Sequence, residues 1–258
     1  MQSFRNLEWK IDSVRVCQQR STRKMKIEIW SDFVCPSCYI AKRRLEKALQ
    51  LFPYREGVTI QYRSYLVDPT AEYRPGVHFY DVFPEWKGLS SEEMEATIRQ
   101  ITLEAKAEGL DYRFDTMRYT NTFDAHRLFQ FAEKKGKGEE MTERLLQGYF
   151  IKSELLSDID TLIGMAKEIG LDEQEAHDVL SSNKFSLRVN EDIATADQIG
   201  IQDVPVFVFN ETYAVSEVHS TEVFLKIIEK IWEEEGHHPA AKVNKAKTLY
   251  CEGDECCD

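Results

Sequence analysis

Two cysteines three residues apart, Cys35 and Cys38, carry the clearest chemistry in the sequence. A Cys-Pro-Ser-Cys run can close into a small disulfide ring and pass that disulfide on. The attacking species is a thiolate, so the first cysteine, Cys35, needs a lowered pKa. A helix N-terminus supplies that through unpaired N–H groups and the helix dipole. Pro36 suits the first helical turn, where its missing N–H costs nothing. Cys38 then lies about one turn into the helix, where it can resolve a mixed disulfide. The competing readings of the pair are a structural zinc half-site and coincidence. Zinc asks for a second pair of ligands, and none stands at a convenient spacing in the body of the chain.

The flanking elements are those that would position such a pair. Lys26-Ile27-Glu28-Ile29-Trp30 alternates charged and apolar residues, the period of a strand. From Cys38 onward Ala41, Leu45, Ala48, Leu49 and Phe52 recur at helical spacing, with Lys42, Arg43, Arg44, Glu46 and Lys47 as a wet face. A second alternating strand spans Val58–Tyr62, so the chain opens as strand, cysteine motif, helix, strand. Residues 68–89 read as an irregular surface loop bordering a substrate groove. Ser90-x-x-Glu93 is a capping box, and Met94, Ile98, Ile101 and Ala105 follow on one helix face. Further helices are expected near 121–135, 139–152, 158–169, 172–182 and 184–199, punctuated by Gly136, Gly170 and Gly200. Strand character returns at 205–209 and 213–215 as a hairpin, with Pro205 at the strand start, where proline is allowed. Ser220 caps a last helix with Val223, Phe224, Ile227, Ile228 and Ile231 as its buried stripe.

The expected partition follows. Residues 1–24 are an extension, disordered or an over-extended start ahead of Met25. Residues 25–68 and 200–235 form an α/β domain, residues 69–199 a loop plus an inserted all-helical domain, and residues 236–258 a flexible cysteine-bearing tail.

Composition narrows the function. The 258 residues carry a net charge of -12, which excludes the basic face that nucleic acid or an anionic membrane requires. No apolar stretch is long enough to span a bilayer. Residues 1–24 hold no apolar signal-peptide core, so the expected compartment is the cytoplasm, where thiols stay reduced unless they are catalytic, sensing or metal-bound. The other four cysteines, Cys17, Cys251, Cys256 and Cys257, sit at the ends of the chain, unlike a structural disulfide framework.

Three stretches together resemble the DsbA-like family, and within it the FrnE-type cytoplasmic oxidoreductases: residues 26–49 around the cysteine motif, NTFDAHRLFQFA at 121–132 and GIQDVPVFVFN at 200–210. The resemblance covers 25–235. It implies an α/β thioredoxin fold interrupted by a helical domain, with Cys35 as nucleophile, Cys38 as resolving thiol and Pro205 as a cis-proline. The bond between Val204 and Pro205 would then turn backbone groups toward the thiols, where a substrate chain can pair. The implied activity is disulfide exchange with protein or small-thiol substrates. It calls for no metal and no cofactor beyond the redox-active disulfide, with a low-molecular-weight thiol or another thiol reductant to recycle it.

The chain also departs from the family. Ser37 stands where tryptophan is frequent, and Pro36 and Ser37 tune thiol acidity, so the preferred direction of electron flow is open. Ser216-Glu217-Val218-His219 replaces a smaller rim; His219 reads as an exposed residue at a helix start, and His126 as packed or solvated. Cys251 and Cys256 have the spacing of a second pair found in some FrnE-like proteins. A redox relay, a soft-metal tail with His237 and His238, and an idle tail are the three readings. Four acidic residues in the last eight would raise those thiol pKa values. Two other functions stay in view: a glutathione-dependent transferase or 2-hydroxychromene-2-carboxylate isomerase, in which the pair is usually degraded, and a non-enzymatic adaptor.

Overall fold

The computed structural model describes residues 24–79, 81–82, 88 and 90–235. Cys17, Cys251, Cys256, Cys257, His237 and His238 lie outside the described residues. At the centre is a sheet of four strands: β1 (Met25–Ser31), β2 (Val58–Ser64), β3 (Val206–Phe209) and β4 (Tyr213–Ser216). Their order is β2-β1-β3-β4. β1 and β2 are parallel, with Ile27 opposite Ile60. Parallel neighbours need a crossover, and α1 (Pro36–Leu51) supplies it. β3 runs antiparallel to β1, and β4 returns beside β3. Asn210 and Glu211 turn that hairpin with φ of 48° and 57°, the left-handed pair whose twist suits a tight hairpin.

Alternation assigns the sheet's two faces. Ile27, Ile29, Phe207 and Phe209 point to a core shared with Leu45 and Ala48 of α1 and with Phe224, Ile228 and Ile231 of α8 (Thr221–Glu234). Val223, expected in that stripe, is 39% exposed, and Trp232 packs in its stead, stacked on Tyr54 at 5.4 Å. Trp30, Val206 and Val208 face the other way, beside Ala196 of α7 (Ser186–Gln198). Glu28, a charged residue of the alternating run in β1, is buried. β1 is an interior strand covered on both faces, and Glu28 is neutralised by Arg63 of β2, whose Nε donates to it at 2.9 Å.

The segment between β2 and β3 is helical: α2 (Ser91–Ala107), α3 (Phe123–Lys134), α4 (Gly138–Phe150), α5 (Ile159–Glu168), α6 (Glu173–Leu180) and α7. Ser90 and Glu93 form the expected capping box of α2. α3 is the axis of the group and packs against α4, α5, α6 and α7. The core around it takes in Phe33, Val34, Tyr39 and Ile40 from either side of the cysteine motif. The inserted helices therefore brace the segment that carries the thiols. This contact buries Lys42, assigned above to a wet face. Its ammonium meets Glu46 one turn on and Glu143 of α4, the latter at 2.8 Å. The described part of residues 68–89 also packs inward: Phe79 is buried against Phe114, and Ala71 and Val82 against Tyr119.

This is an α/β thioredoxin-like fold with a helical insertion. Among the described residues no helix is long and apolar enough to cross a membrane.

Candidate active site

Cys35 occupies the N-cap position of α1, with extended backbone at φ -86° and ψ 109°. A capping side chain accepts from the first turn's free N–H groups, and here a sulfur does so. The Cys38 N–H donates to Cys35 Sγ at 3.3 Å. Pro36 begins the helix, where it forfeits no hydrogen bond. Both cysteines are free thiols and both are buried. The Cys35 S–H in turn donates to the carbonyl of Val204, 169 residues on, at 3.4 Å. The Val204–Pro205 peptide bond is cis. Thus Cys35, Cys38, Val204 and Pro205 meet at one place, just ahead of β3.

The electrostatics correct one expectation. A helix N-terminus was expected to lower the Cys35 pKa. Burial instead pushes this thiol well above its ordinary value. The side chain and charge of Cys38 push the same way, as does the Asp32 carboxylate, and the Cys38 backbone N–H pulls against them. The physical reason is desolvation, which penalises the thiolate more than one N–H dipole stabilises it.

Beneath the motif lies a polar pair that motif reading overlooked. Asp32 is completely buried, and its Oδ2 accepts from the Val67 N–H at 2.7 Å. Its Oδ1 lies 3.3 Å from Nε2 of His126 on α3. His126 is thus packed, against the Phe33 ring at 4.5 Å. Among the described residues its Nδ1 meets no hydrogen-bond partner. Tyr112, from the loop after α2, donates its hydroxyl to the Pro36 carbonyl at 2.8 Å and so fixes the first turn of α1 from below. The sequence signal for Asp32 was available, an aspartate three residues ahead of the cysteines; its partners were not, since they lie far along the chain.

Beside Cys35 opens a groove of about 660 Å³. Ser37 faces it from the motif, the stretch from Ile199 to Val206 forms one wall, and Ala214 with Ser216, Glu217 and Val218 forms another. None of the described residues of 68–89 lines it, contrary to the expectation of a bordering loop. His219 lies outside the lining, half-buried and edge-on to Phe224 at 5.8 Å. Among the described residues no group of three or more His, Cys, Asp or Glu side chains is gathered to hold a metal ion.

Comparison with known proteins agrees with this geometry. The model of the DsbA-like thioredoxin domain matches residues 26–229. A structure from Streptomyces coelicolor, described as a probable DsbA oxidoreductase, is similar with a TM-score of 0.76 and 33% identity, covering 90% of this chain and 98% of that one. The uncharacterized protein YwbO of Bacillus subtilis strain 168 is 24% identical over 192 residues, 72% of this chain and 87% of its own. A 2-hydroxychromene-2-carboxylate isomerase shares the fold, with a TM-score of 0.60 at 14% identity over 82% of this chain and 98% of its own.

Proposed function

The chain belongs to the DsbA-like thioredoxin-domain family, and from that premise we propose that it is a thiol–disulfide oxidoreductase of the FrnE type, exchanging disulfides with protein substrates through Cys35 and Cys38. The observation that carries this reading is the meeting of two distant segments: the N-cap thiol of α1 against the Val204 carbonyl, at the edge of an open groove.

The chemistry follows from those contacts. In the free protein the S–H of Cys35 is held by Val204 and its acidity is suppressed. A substrate chain that pairs with the Val204 backbone takes that acceptor away. The Cys38 N–H then remains as the partner of Sγ, and it favours the thiolate. The thiolate attacks a substrate disulfide. One Sγ–S bond forms, the substrate S–S bond breaks, and the leaving sulfur takes a proton. Cys38 then displaces the second substrate sulfur, closing the Cys35–Cys38 disulfide and releasing two thiols. Run backward, the same steps oxidise a dithiol. The pair itself carries the two electrons, and a low-molecular-weight thiol or another thiol reductant restores the reduced form.

The intact Cys35–Cys38 pair supports disulfide exchange over the isomerase reading of the shared fold. Replacing Cys35 by serine is expected to abolish insulin reduction, and a fully active Cys35→Ser protein would end this reading. Replacing Cys38 by serine is expected to trap substrates on Cys35. Cys251 and Cys256 fit a second pair that exchanges with the first; turnover unchanged after both become serine would remove that relay.

A further inference from the structure

The inserted segment reaches the Cys-Pro-Ser-Cys backbone with a polar atom that the exchange steps above do not use. Tyr112 stands between α2 and α3, 76 residues from Pro36, and its buried hydroxyl donates to the Pro36 carbonyl at 2.8 Å. Packing places the ring independently of that bond. It stacks on Phe150 of α4 at 4.6 Å and meets Phe114 edge-on at 5.6 Å. The N–H of the next residue, Arg113, donates to the Phe150 carbonyl at 2.8 Å. The hydroxyl is thus held in place and aimed at the first turn of α1. An α-helical carbonyl accepts the N–H four residues on and keeps a second lone pair; at Pro36, Tyr112 takes it. Linked hydrogen bonds polarise one another, so this bond draws charge along the Pro36–Ser37 amide. The N–H at the far end of that amide belongs to Ser37. With the N–H of Cys38 it lies in the first turn, whose donors point back toward the N-cap side chain, here the Cys35 sulfur.

Resting on the oxidoreductase reading above, we propose that Tyr112 is a positioning residue for disulfide exchange, whose hydroxyl, through the Pro36 carbonyl, polarises the first turn of α1 in favour of the Cys35 thiolate. It serves at the step where a substrate takes the Val204 carbonyl and Cys35 ionises. The disulfide that follows carries no charge on sulfur, so the aid goes to the attacking form. Burial keeps the phenol protonated, and the charges of Cys35, Tyr39 and Cys38 raise its pKa further, against Arg43. A hydroxyl that keeps its proton stays a donor throughout the range in which exchange runs. The other titratable groups around Cys35 are Cys38, Asp32 with His126 behind it, and Tyr65 on the same apolar cluster. All of them are retained when Tyr112 alone is changed.

Tyr112→Phe keeps the ring and removes only the donor. Tyr39→Phe is the control: its hydroxyl donates to Glu143 at 2.6 Å and ties the start of α1 to α4, but not through a peptide of the motif. Prereduced full-length protein is labelled with iodoacetamide across pH, and labelling of Cys35 is read on the fragment that carries it. The same proteins meet a symmetric disulfide of a short capped peptide, and two peptide thiols leave as the Cys35–Cys38 disulfide forms. In Tyr112→Phe the pH midpoint of labelling is expected to move up. Labelling at pH 7 should slow about threefold, with peptide exchange slowing in parallel. Tyr39→Phe should keep the wild-type midpoint. A merely structural role predicts the opposite sign, because a loosened turn exposes the sulfur and speeds labelling. Should Tyr112→Phe fail to fold, 3-fluorotyrosine in place of Tyr112 carries the test. Its more acidic hydroxyl donates more strongly, so the midpoint should move down. A midpoint unmoved by either change, faster labelling in Tyr112→Phe, or an equal shift in Tyr39→Phe overturns the role of Tyr112 and leaves the oxidoreductase reading intact. Wild-type protein that does not exchange with the peptide disulfide removes that reading, and this one with it.

Discussion

Two buried polar clusters join the β1 end of the sheet to the inserted helices, and α3 supplies a side chain to each, one turn apart. In the first, Gln130 of α3 donates to Asp192 Oδ2 at 3.0 Å, and Arg63 donates to Asp192 Oδ1 at 2.9 Å. The Ser64 N–H also reaches Asp192, Arg63 neutralises Glu28, and the Trp30 indole donates to the Asp192 carbonyl. Each charge there has an opposite charge and each donor a carboxylate or carbonyl. In the second, His126 reaches Asp32, but its other ring nitrogen is left unpartnered, and the carboxylate lies close enough to Cys35 to disfavour its ionisation. A fully satisfied buried network fixes geometry, whereas a partly satisfied one needs another explanation. The first cluster therefore bears on stability, and the second, next to the thiols, bears on reactivity.

Breaking the satisfied cluster should produce the largest effect. Asp192→Ala leaves the Ser64 N–H without its carboxylate acceptor, leaves Gln130 with only the Ser64 Oγ at 3.5 Å, and removes one of the two carboxylates from Arg63. It should cost about 3 kcal/mol of stability, read as a lower urea midpoint, with the alkylation rate of Cys35 in the folded protein unaltered. A loss confined to alkylation would refute the division. A smaller loss should follow at Glu143, which holds the buried Lys42 and whose own carboxylate is about one-third exposed. Burial alone would raise the Glu143 carboxyl pKa, yet Lys42, Tyr39 and Arg43 hold it below the ordinary range. Its folded-state pKa is depressed, so its contribution is present above the unfolded carboxyl pKa and is lost as pH falls through the folded value. Glu143→Gln should cost about 1–2 kcal/mol at pH 7. Unfolding measured across pH should show that deficit shrinking below the ordinary glutamate pKa; a deficit independent of pH would assign it to packing.

The same contrast explains what could be read from the sequence. Cys35 and Cys38 were legible because their relation is local, an N-cap and a residue three further on. The helices from 123 to 198 were legible because their caps and glycines punctuate an apolar period; Gly136, Gly170 and Gly200 take φ of 72°, 77° and 79° just past their helices. Lys42 was misassigned to water because a charged residue at a helix position carries no mark of its distant partner. Lys42 meets Glu143 across 101 residues, and Asp32 meets His126 across 94. The acidity of Cys35 failed for a related reason: the helix terminus is visible in the sequence, but the burial that outweighs it comes from Trp30, Ala196 and Val206, which only the fold brings together.

The smallest effect on stability, and the sharpest on chemistry, should come from Asp32→Asn. Asparagine keeps an acceptor for the Val67 N–H and fills the same volume, so stability should change by less than about 1 kcal/mol. It removes one of the charges that suppress Cys35 ionisation. Around that sulfur the remaining electrostatic neighbours, Cys38 and Tyr112, stay in place. Iodoacetamide labelling of Cys35 at pH 7 should therefore quicken roughly threefold, with its pH midpoint moved down. His126→Gln supplies the complementary reading. It leaves the Asp32 carboxylate in place but withdraws the imidazole, so it should not speed labelling. If Asp32→Asn slows alkylation, or if it unfolds the protein as readily as Asp192→Ala, the carboxylate belongs with the satisfied cluster after all, and the unpartnered Nδ1 of His126 has no bearing on the thiols.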